Sequence, residues 1–506
     1  MGHRRDTHIL FTLTVIAGGL SGLAAVAFHQ SIDILNDRLL DPILAKSLAT
    51  RIVLLPLLLV AVGAIVGLLL QRVVPFARGS GIPEVKTAYV FGPGEQLSVR
   101  TVVGKFVLAA LSIGAGFSLG REGPTVQVCA AIAAAVGKAA RQPARIIKAL
   151  ISVGAAAGIA AAFNTPIAAI TFAMEEVIGD LDHQLVGAIV VASVAAAVVE
   201  RAILGGRPSL LVPTYSLGDW RELFAYALLG GVAGLAAAGF VRSLLELRRF
   251  ARDRVSLPSW TKPAIGGGVM AAVGLLLPRT LGIGYPTLSE ALLGRLSWPS
   301  MTALGVGKIA ATVTSYGWGL SGGIFSPTLF MGAMVGGVVA HIVHPFNGPT
   351  AETVGSFALV GMGAFFAGAI RAPITSILII FEMTGDYAII LPLMISNMIS
   401  YTITTRLQPT PIYDALLQQD GVPMPKHDAR LDLRTMTVEQ AMRSAEAPIE
   451  LSGPVLFADQ SLDLALLEFG RHSIREAPVV RRASPNDVIG MLSLDDVSAS
   501  VTEGDE

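Results

Sequence analysis

The chain has 506 residues, 53% hydrophobic and 15% charged, with zero formal net charge and a mean hydropathy of +0.64. Soluble proteins carry about 25% charged residues, so the apolar excess is too large for one core and lipid must be part of the solvent. The neutral total says nothing about substrate sign, because local fields at helix ends matter more; no nucleic-acid partner is expected, and the single cysteine, Cys129, excludes an internal disulfide framework and a cysteine metal cluster.

The N-terminus, Met1 to Arg5, is basic and leads into an apolar run near 8–30. No clear small-residue cleavage site follows, so it reads as a retained first span. Further long apolar segments lie near 52–70, 102–117, 184–204, 222–244, 262–278 and 300–316. Shorter ones lie near 79–90, 123–137, 144–160, 165–178, 325–343, 355–368, 373–384 and 388–404. A full span needs about 20 apolar residues. The shorter segments, punctuated by Gly and Pro, therefore read as re-entrant or tilted pieces. Non-helical backbone at membrane depth survives only inside protein or around a cavity, so these pieces are expected to enclose a polar site. Cys129 sits among alanines and valines and reads as a packing residue.

Positive charge orients the spans. Arg4 and Arg5 precede the first, and a basic loop with Arg242, Arg248, Arg249, Arg252, Arg254 and Lys262 follows the span near 222–244. The positive-inside rule places both in the cytoplasm. The half beginning near 8 then starts inside and the half beginning near 222 starts outside, which makes the two halves inverted. After about Gln408 the character changes, and over 426–506 charges are frequent and apolar runs short. Thr437 to Met442 predicts a short helix. Ala477-Pro478-Val479-Val480 and Val488-Ile489-Gly490-Met491-Leu492 predict a β-hairpin with a polar turn. The domain division is therefore 1–425 in the membrane, with repeats about 8–204 and 222–420, and 426–506 as a small cytoplasmic domain.

The halves are a duplication. Gly120-Arg121-Glu122-Gly123-Pro124-Thr125 and Gly323-Ile324-Phe325-Ser326-Pro327-Thr328 lie 203 positions apart (323 − 120). The same offset carries Lys105 onto Lys308 and Gly79, Gly81 and Pro83 onto Gly282, Gly284 and Pro286. An offset of 207 carries Glu175 onto Glu382. Gly and Pro recurring ahead of apolar stretches is the pattern of broken membrane helices in duplicated transporters. One copy places a carboxylate, Glu122, where the other places Phe325.

Three loops share one physical idea: Gly79-Ser80-Gly81-Ile82-Pro83, Gly120 to Pro124, and Gly323 to Pro327 each put glycine and proline before an apolar helix. Proline suits the first helical turn and glycine admits a ligand close to backbone. Free amides and the positive dipole end favour anions. Glu122 is then a carboxylate placed in an anion site, able to occupy it when ionised and leave it when protonated. Burial and the dipole with Arg121 push its protonation in opposite directions. The plainer alternative for Glu122 is a helix cap or a pair with Arg121. For Ser80 it is an N-cap hydroxyl, and for Tyr413 a tyrosine of the membrane interface. The repeated acid Glu175 suggests a structural pairing with Glu382. Glu176 has Met383 opposite, and an unmatched acid near membrane depth is a functional candidate.

These three motifs, in this order, resemble the CLC family of chloride channels and chloride/proton antiporters, over roughly residues 10–420. The resemblance implies an all-α polytopic fold of two inverted-topology repeats with broken and re-entrant helices, a homodimer with one pore per chain, and a prokaryotic plasma membrane location with both termini cytoplasmic. It implies that Ser80, Tyr413 and the amides of Ile324 and Phe325 bind the central chloride. Gly79, Gly81, Pro83, Gly120, Arg121, Gly123, Pro124 and Gly323 support the site. Glu122 is the external gate and proton carrier, and Glu176 the internal proton acceptor of the antiporter branch. Chloride/proton antiport is thus favoured over a passive chloride channel. Ser80 argues for chloride over nitrate, because nitrate-preferring relatives tend to carry proline there, and fluoride exporters depart from these motifs. The tail resembles a CBS domain through Ala477 to Val480 and Gly490-x-x-Ser493-x-x-Asp496, which implies an adenine nucleotide held by Ser493 and Asp496, or a structural module. No enzyme activity, other cofactor or metal is expected, since His341 and His344 lack a third ligand.

Overall fold

Apolar chain in lipid must satisfy its own backbone polar groups, and helices do so within each segment. The computed structural model describes residues 2–179, 183–205, 220–345, 348–422, 436–444, 454–472 and 474–497. Its contacts divide the chain into Met1–Val422 and Pro423–Glu506.

In the first unit the helices recur in order. The first set is α1 (Gly2–Leu35), α2 (Leu48–Arg72), α3 (Ile82–Phe91), α4 (Val99–Gly114), α5 (Glu122–Ala139), α6 (Ala144–Phe163), α7 (Pro166–Phe172, continued by a π-helical turn, Ala173–Ile178) and α8 (His183–Leu204). The second is α9 (Glu222–Asp253), α10 (Lys262–Leu276), α11 (Tyr285–Leu292), α12 (Trp298–Gly317), α13 (Phe325–Val343), α14 (Ala351–Ile370), α15 (Pro373–Thr384) and α16 (Ile390–Leu407), after which α17 (Ile412–Gln419) follows. Among the described residues, 8 helices are long and apolar enough to cross a membrane.

The copies pack alike. α1 lies on α8 as α9 lies on α16, and α5 on α6 as α13 on α14. A Cβ at Gly18 would come within 2.6 Å of Ala192 O, and one at Gly230 within 2.6 Å of Ser396 O. Small residues let these backbones close up, which is how helices associate where the lipid is as apolar as the side chains. The copies also touch at equivalent residues: Gly120 N donates to Gly323 O at 2.6 Å and Gly323 N to Gly120 O at 2.7 Å. An element that exchanges bonds with its own copy lies on a local dyad, and the halves are inverted-topology repeats of broken helices.

Element lengths depart from the sequence expectation in places. The segments near 144–160 and 355–368 are 20-residue helices: the first runs on through Ala161, Ala162 and Phe163, and the second begins four residues earlier because its polar first turn, with Glu352, is capped by Thr350. The apolar run near 102–117 stops at Gly114, and Gly116 turns left-handed at φ 109°. The basic loop expected after 244 is instead a helical extension of α9, which buries Leu244, Leu245 and Ala251 while Arg248 reaches Asp420 at 2.6 Å.

The second unit has a four-stranded sheet, β1 (Arg443–Ser444), β2 (Leu456–Phe457), β3 (Glu476–Arg481) and β4 (Ser484–Ser493), in the order β1-β4-β3-β2. β3 and β4 form the expected antiparallel hairpin, with Val479 opposite Gly490. The expected short helix is α18 (Val438–Ala441), started by a Thr437–Gln440 capping box. With α19 (Leu462–His472) it covers a core of Val438, Leu456, Phe469, Val479 and Leu492.

Candidate functional site

The three glycine-rich loops meet in the first unit. Gly79 and Gly81 are left-handed, at φ 69° and 104°, a conformation that glycine adopts without strain. They bring Ser80 against α5, where a Cβ on Gly123 would lie 2.4 Å from Ser80 Oγ. Gly79 N donates to Leu320 O at 3.1 Å, and Gly322 N returns a bond to Gly79 O at 2.9 Å. The first loop is thereby tied to the third, and the third to the second through Gly120 and Gly323. Pro83, Pro124 and Pro327 all sit in first helical turns, where a missing N–H costs nothing.

Glu122 opens α5 and is fully buried. Its Oε1 accepts from Tyr285 Oη at 3.0 Å and from Ser326 Oγ in a short bond, and its Oε2 accepts from Ser326 N at 3.3 Å. The carboxylate thus occupies the amide end of α13, just past Ile324 and Phe325, where unpaired N–H groups and the helix dipole favour negative charge. A Cβ on Gly120 would lie 2.6 Å from Oε2, so glycine there keeps the seat open. Arg121 does not take the carboxylate. Its guanidinium lies over the Tyr285 ring, 5.2 Å from the centroid. The Phe325 ring packs on Phe163, Phe172 and Phe366 at 5.0, 5.9 and 4.4 Å between centroids and forms an apolar wall.

Ser80 and Tyr413 are fully buried. Their hydroxyls face one another without a hydrogen bond of normal geometry, and Ser80 N donates to Tyr316 Oη at 3.3 Å. Tyr413, in the first turn of α17, is within electrostatic reach of both Glu122 and Glu176. Two side chains with open hydrogen-bonding capacity beside a helix amide end can hold a small anion.

Glu176 lies in the π-helical turn after α7, 5% exposed, with Lys86 Nζ at 2.9 Å. Lys86 also reaches Asp414 at 2.6 Å, and Asp414 follows Tyr413 directly. One ammonium therefore serves two carboxylates, and the group can carry one proton without creating excess positive charge. The sequence reasoning missed Lys86, Asp414, Tyr285 and Ser326. For Lys86 the available signal was a charge within the short apolar segment near 79–90, which at membrane depth points to function; the other three carried no local signal.

Other repeated polar residues hold the scaffold. Glu175 accepts from Ile374 N and Thr375 N at 3.1 and 2.7 Å, while Glu382 accepts from Ile167 N and Ala168 N at 3.0 and 2.7 Å. Each acid caps the opposite copy's helix. Lys105 donates to Gly79 O at 2.6 Å and Lys308 to Gly282 O at 2.7 Å, both from full burial. In the tail, Asp496 Oδ2 accepts from Ser493 N and Oγ at 2.8 and 2.6 Å and from Arg443 Nε at 3.0 Å. Desolvation pushes the Asp496 carboxyl up, but these bonds outweigh it and hold the group below its ordinary range.

Fold and site together define an integral, multi-pass membrane protein in which two inverted repeats enclose a buried carboxylate at a helix amide end. Residues 62–405 match the family described as voltage gated chloride channel, and the chain belongs to that family, the CLC proteins. It is 33% identical over 433 residues to the H(+)/Cl(-) exchange transporter ClcA of Vibrio campbellii, covering 81% of this chain and 89% of that one. It is 33% identical over 343 residues to a ClcB-like protein of Ralstonia nicotianae named for chloride channels, covering 67% and 80%. The crystal structure of a slow cyanobacterial Cl-/H+ antiporter superposes with a TM-score of 0.73 at 25% identity, over 81% of this chain and 97% of that one.

Proposed function

We propose that this protein exchanges chloride for protons across a membrane, with Glu122 as the gate of the anion seat and Glu176 as the acid that takes protons from the cytoplasm. The observation that carries this reading is the Glu122 carboxylate itself, an anion seated on the amide end of α13. Ionised, it fills the place a chloride would take. Protonated, it no longer competes and releases the seat. One side chain therefore links the two ions. Ser80, Tyr413 and the amides of Ile324 and Phe325 hold the central chloride, and Tyr413 is within electrostatic reach of both acids. The exchange transporters among the relatives support the pairing of ions.

Several further features belong to the same reading. Two chains pair, each with its own pore, in a prokaryotic plasma membrane with both termini in the cytoplasm. The tail is a CBS-like module, and a second chain would supply its partner copy. Ser493 and Asp496 take the ribose of an adenine nucleotide, exchanging their bond to one another for bonds to the ligand. ATP or AMP raising the unfolding temperature of the full chain, and failing to do so in Asp496→Ala, checks this last point.

The central test is reconstitution into liposomes under a chloride gradient, following both ions. Protons driven uphill by chloride are the expected result. Chloride flux with no proton movement would establish the passive channel instead.

A further inference from the structure

We propose that Tyr285 and Ser326 form a hydroxyl latch on the Glu122 gate and set the pH range over which the protein turns over. This rests on the reading of Glu122 as the gate.

Two hydroxyls from different helices converge on one carboxylate oxygen: Tyr285 Oη from the start of α11, at 3.0 Å, and Ser326 Oγ from the start of α13. The hydroxyls also lie 3.2 Å from each other, which closes a three-membered network. Tyr285 is held in place, because Arg121 covers its ring. The scaffold does not require either hydroxyl. The equivalent positions in the first repeat, 203 residues earlier, are Ile82 and Gly123. The hydroxyls appear only in the copy that faces the carboxylate.

Their effect follows from charge. A hydrogen bond to an ionised acceptor is roughly twice as strong as one between neutral groups. Two hydroxyls and one amide therefore favour the seated, ionised gate over the protonated, released one. Other charged groups face this region. Arg121 adjoins Glu122 on α5, and within its field lie His29 and Asp33 from α1 and Glu200 from α8. Tyr285 on α11 and Tyr413 on α17 sense Glu122. The first turn of α13 adds Ser326 and no ionisable side chain. Removing a hydroxyl leaves all these charges in place and weakens only the seated state. Protonation then releases the gate at a lower proton concentration, so activity extends toward higher pH.

The test is chloride-driven proton flux in liposomes, measured across pH for Tyr285→Phe and Ser326→Ala. Each variant is expected to move the half-maximal point upward by about one pH unit, the size of one lost bond to a charged group, with the chloride-to-proton ratio unchanged. In a Glu122→Gln background the same substitutions should leave the pH dependence of chloride flux unmoved. Unshifted profiles in folded single variants, or an equal shift in the Glu122→Gln background, would overturn the latch. Should Tyr285→Phe fail to fold, Ser326→Ala, which deletes one oxygen, carries the test. If Glu122→Gln alone still moves protons, it is the gate assignment that fails, a result distinct from an unmoved pH profile.

Discussion

Lys105 and Lys308 stand at equivalent places in the two repeats, and each donates to carbonyls of the loop that opens the short helix before its own. Glu175 and Glu382 are likewise matched, each capping a helix of the other copy. Glu122 and Phe325 are equally well matched in position, yet one is a seated carboxylate and the other part of an aromatic wall. Glu176 pairs with Lys86, while its counterpart is Met383. Positions that agree between the copies carry the mechanics of the fold. Positions that disagree are those to which the proposed function gives the gate and the inner acid, since one pore would need only one of each.

Erasing the difference at the gate has the largest expected effect. Glu122→Gln should reduce coupled proton movement to background while chloride flux persists, since an amide neither carries the proton nor competes as an anion. Proton pumping retained in paired flux traces would remove Glu122 from the mechanism. Glu176→Met, which makes the inner acid match Met383, should also stop proton coupling and spare chloride flux. Asp414 remains to balance Lys86 in that variant. Coupling that survives would make Glu176 a structural partner of Lys86.

The matched positions predict matched losses. Lys105→Met and Lys308→Met should each lower the unfolding temperature in detergent by a similar amount, since each strands buried carbonyls at about 1–3 kcal/mol apiece. A loss confined to one variant would break the mechanical equivalence of the repeats. The smallest effect is expected from Glu175→Gln and Glu382→Gln. An amide keeps one acceptor oxygen, so each variant loses one of its two cap bonds, about 0.5–1.5 kcal/mol, together with the charge assistance, about 0.3–1 kcal/mol at a helix N-terminus. Both variants should be slightly and equally less stable, with the exchange ratio unchanged. A changed ratio in either would move that acid into the proton path.

Much of this arrangement was legible in the residues. The duplication, the three glycine-rich loops and the odd carboxylate at Glu122 are all local patterns. The tail's hairpin followed from two β-prone runs around a polar turn, and its short helix was expected near Thr437 to Met442, while the cap that starts it came from the structure. Segment lengths were less legible: the start of α14 and the end of α9 extend through charged residues. Hydropathy counts those residues against a span, whereas a helix accepts them wherever one face stays buried.

The sequence by itself determined that lipid is the solvent, that the chain is duplicated, and that one copy places an acid before a helix where the other places an aromatic. These are properties of composition, spacing and backbone chemistry, each contained within a few residues. Only the tertiary structure decided which groups answer that acid. Tyr285 is 163 residues from Glu122 and Ser326 is 204 away, and Lys86 meets Glu176 across 90. Such contacts leave no periodic trace along the chain, because they depend on how helices pack and not on how any one helix forms.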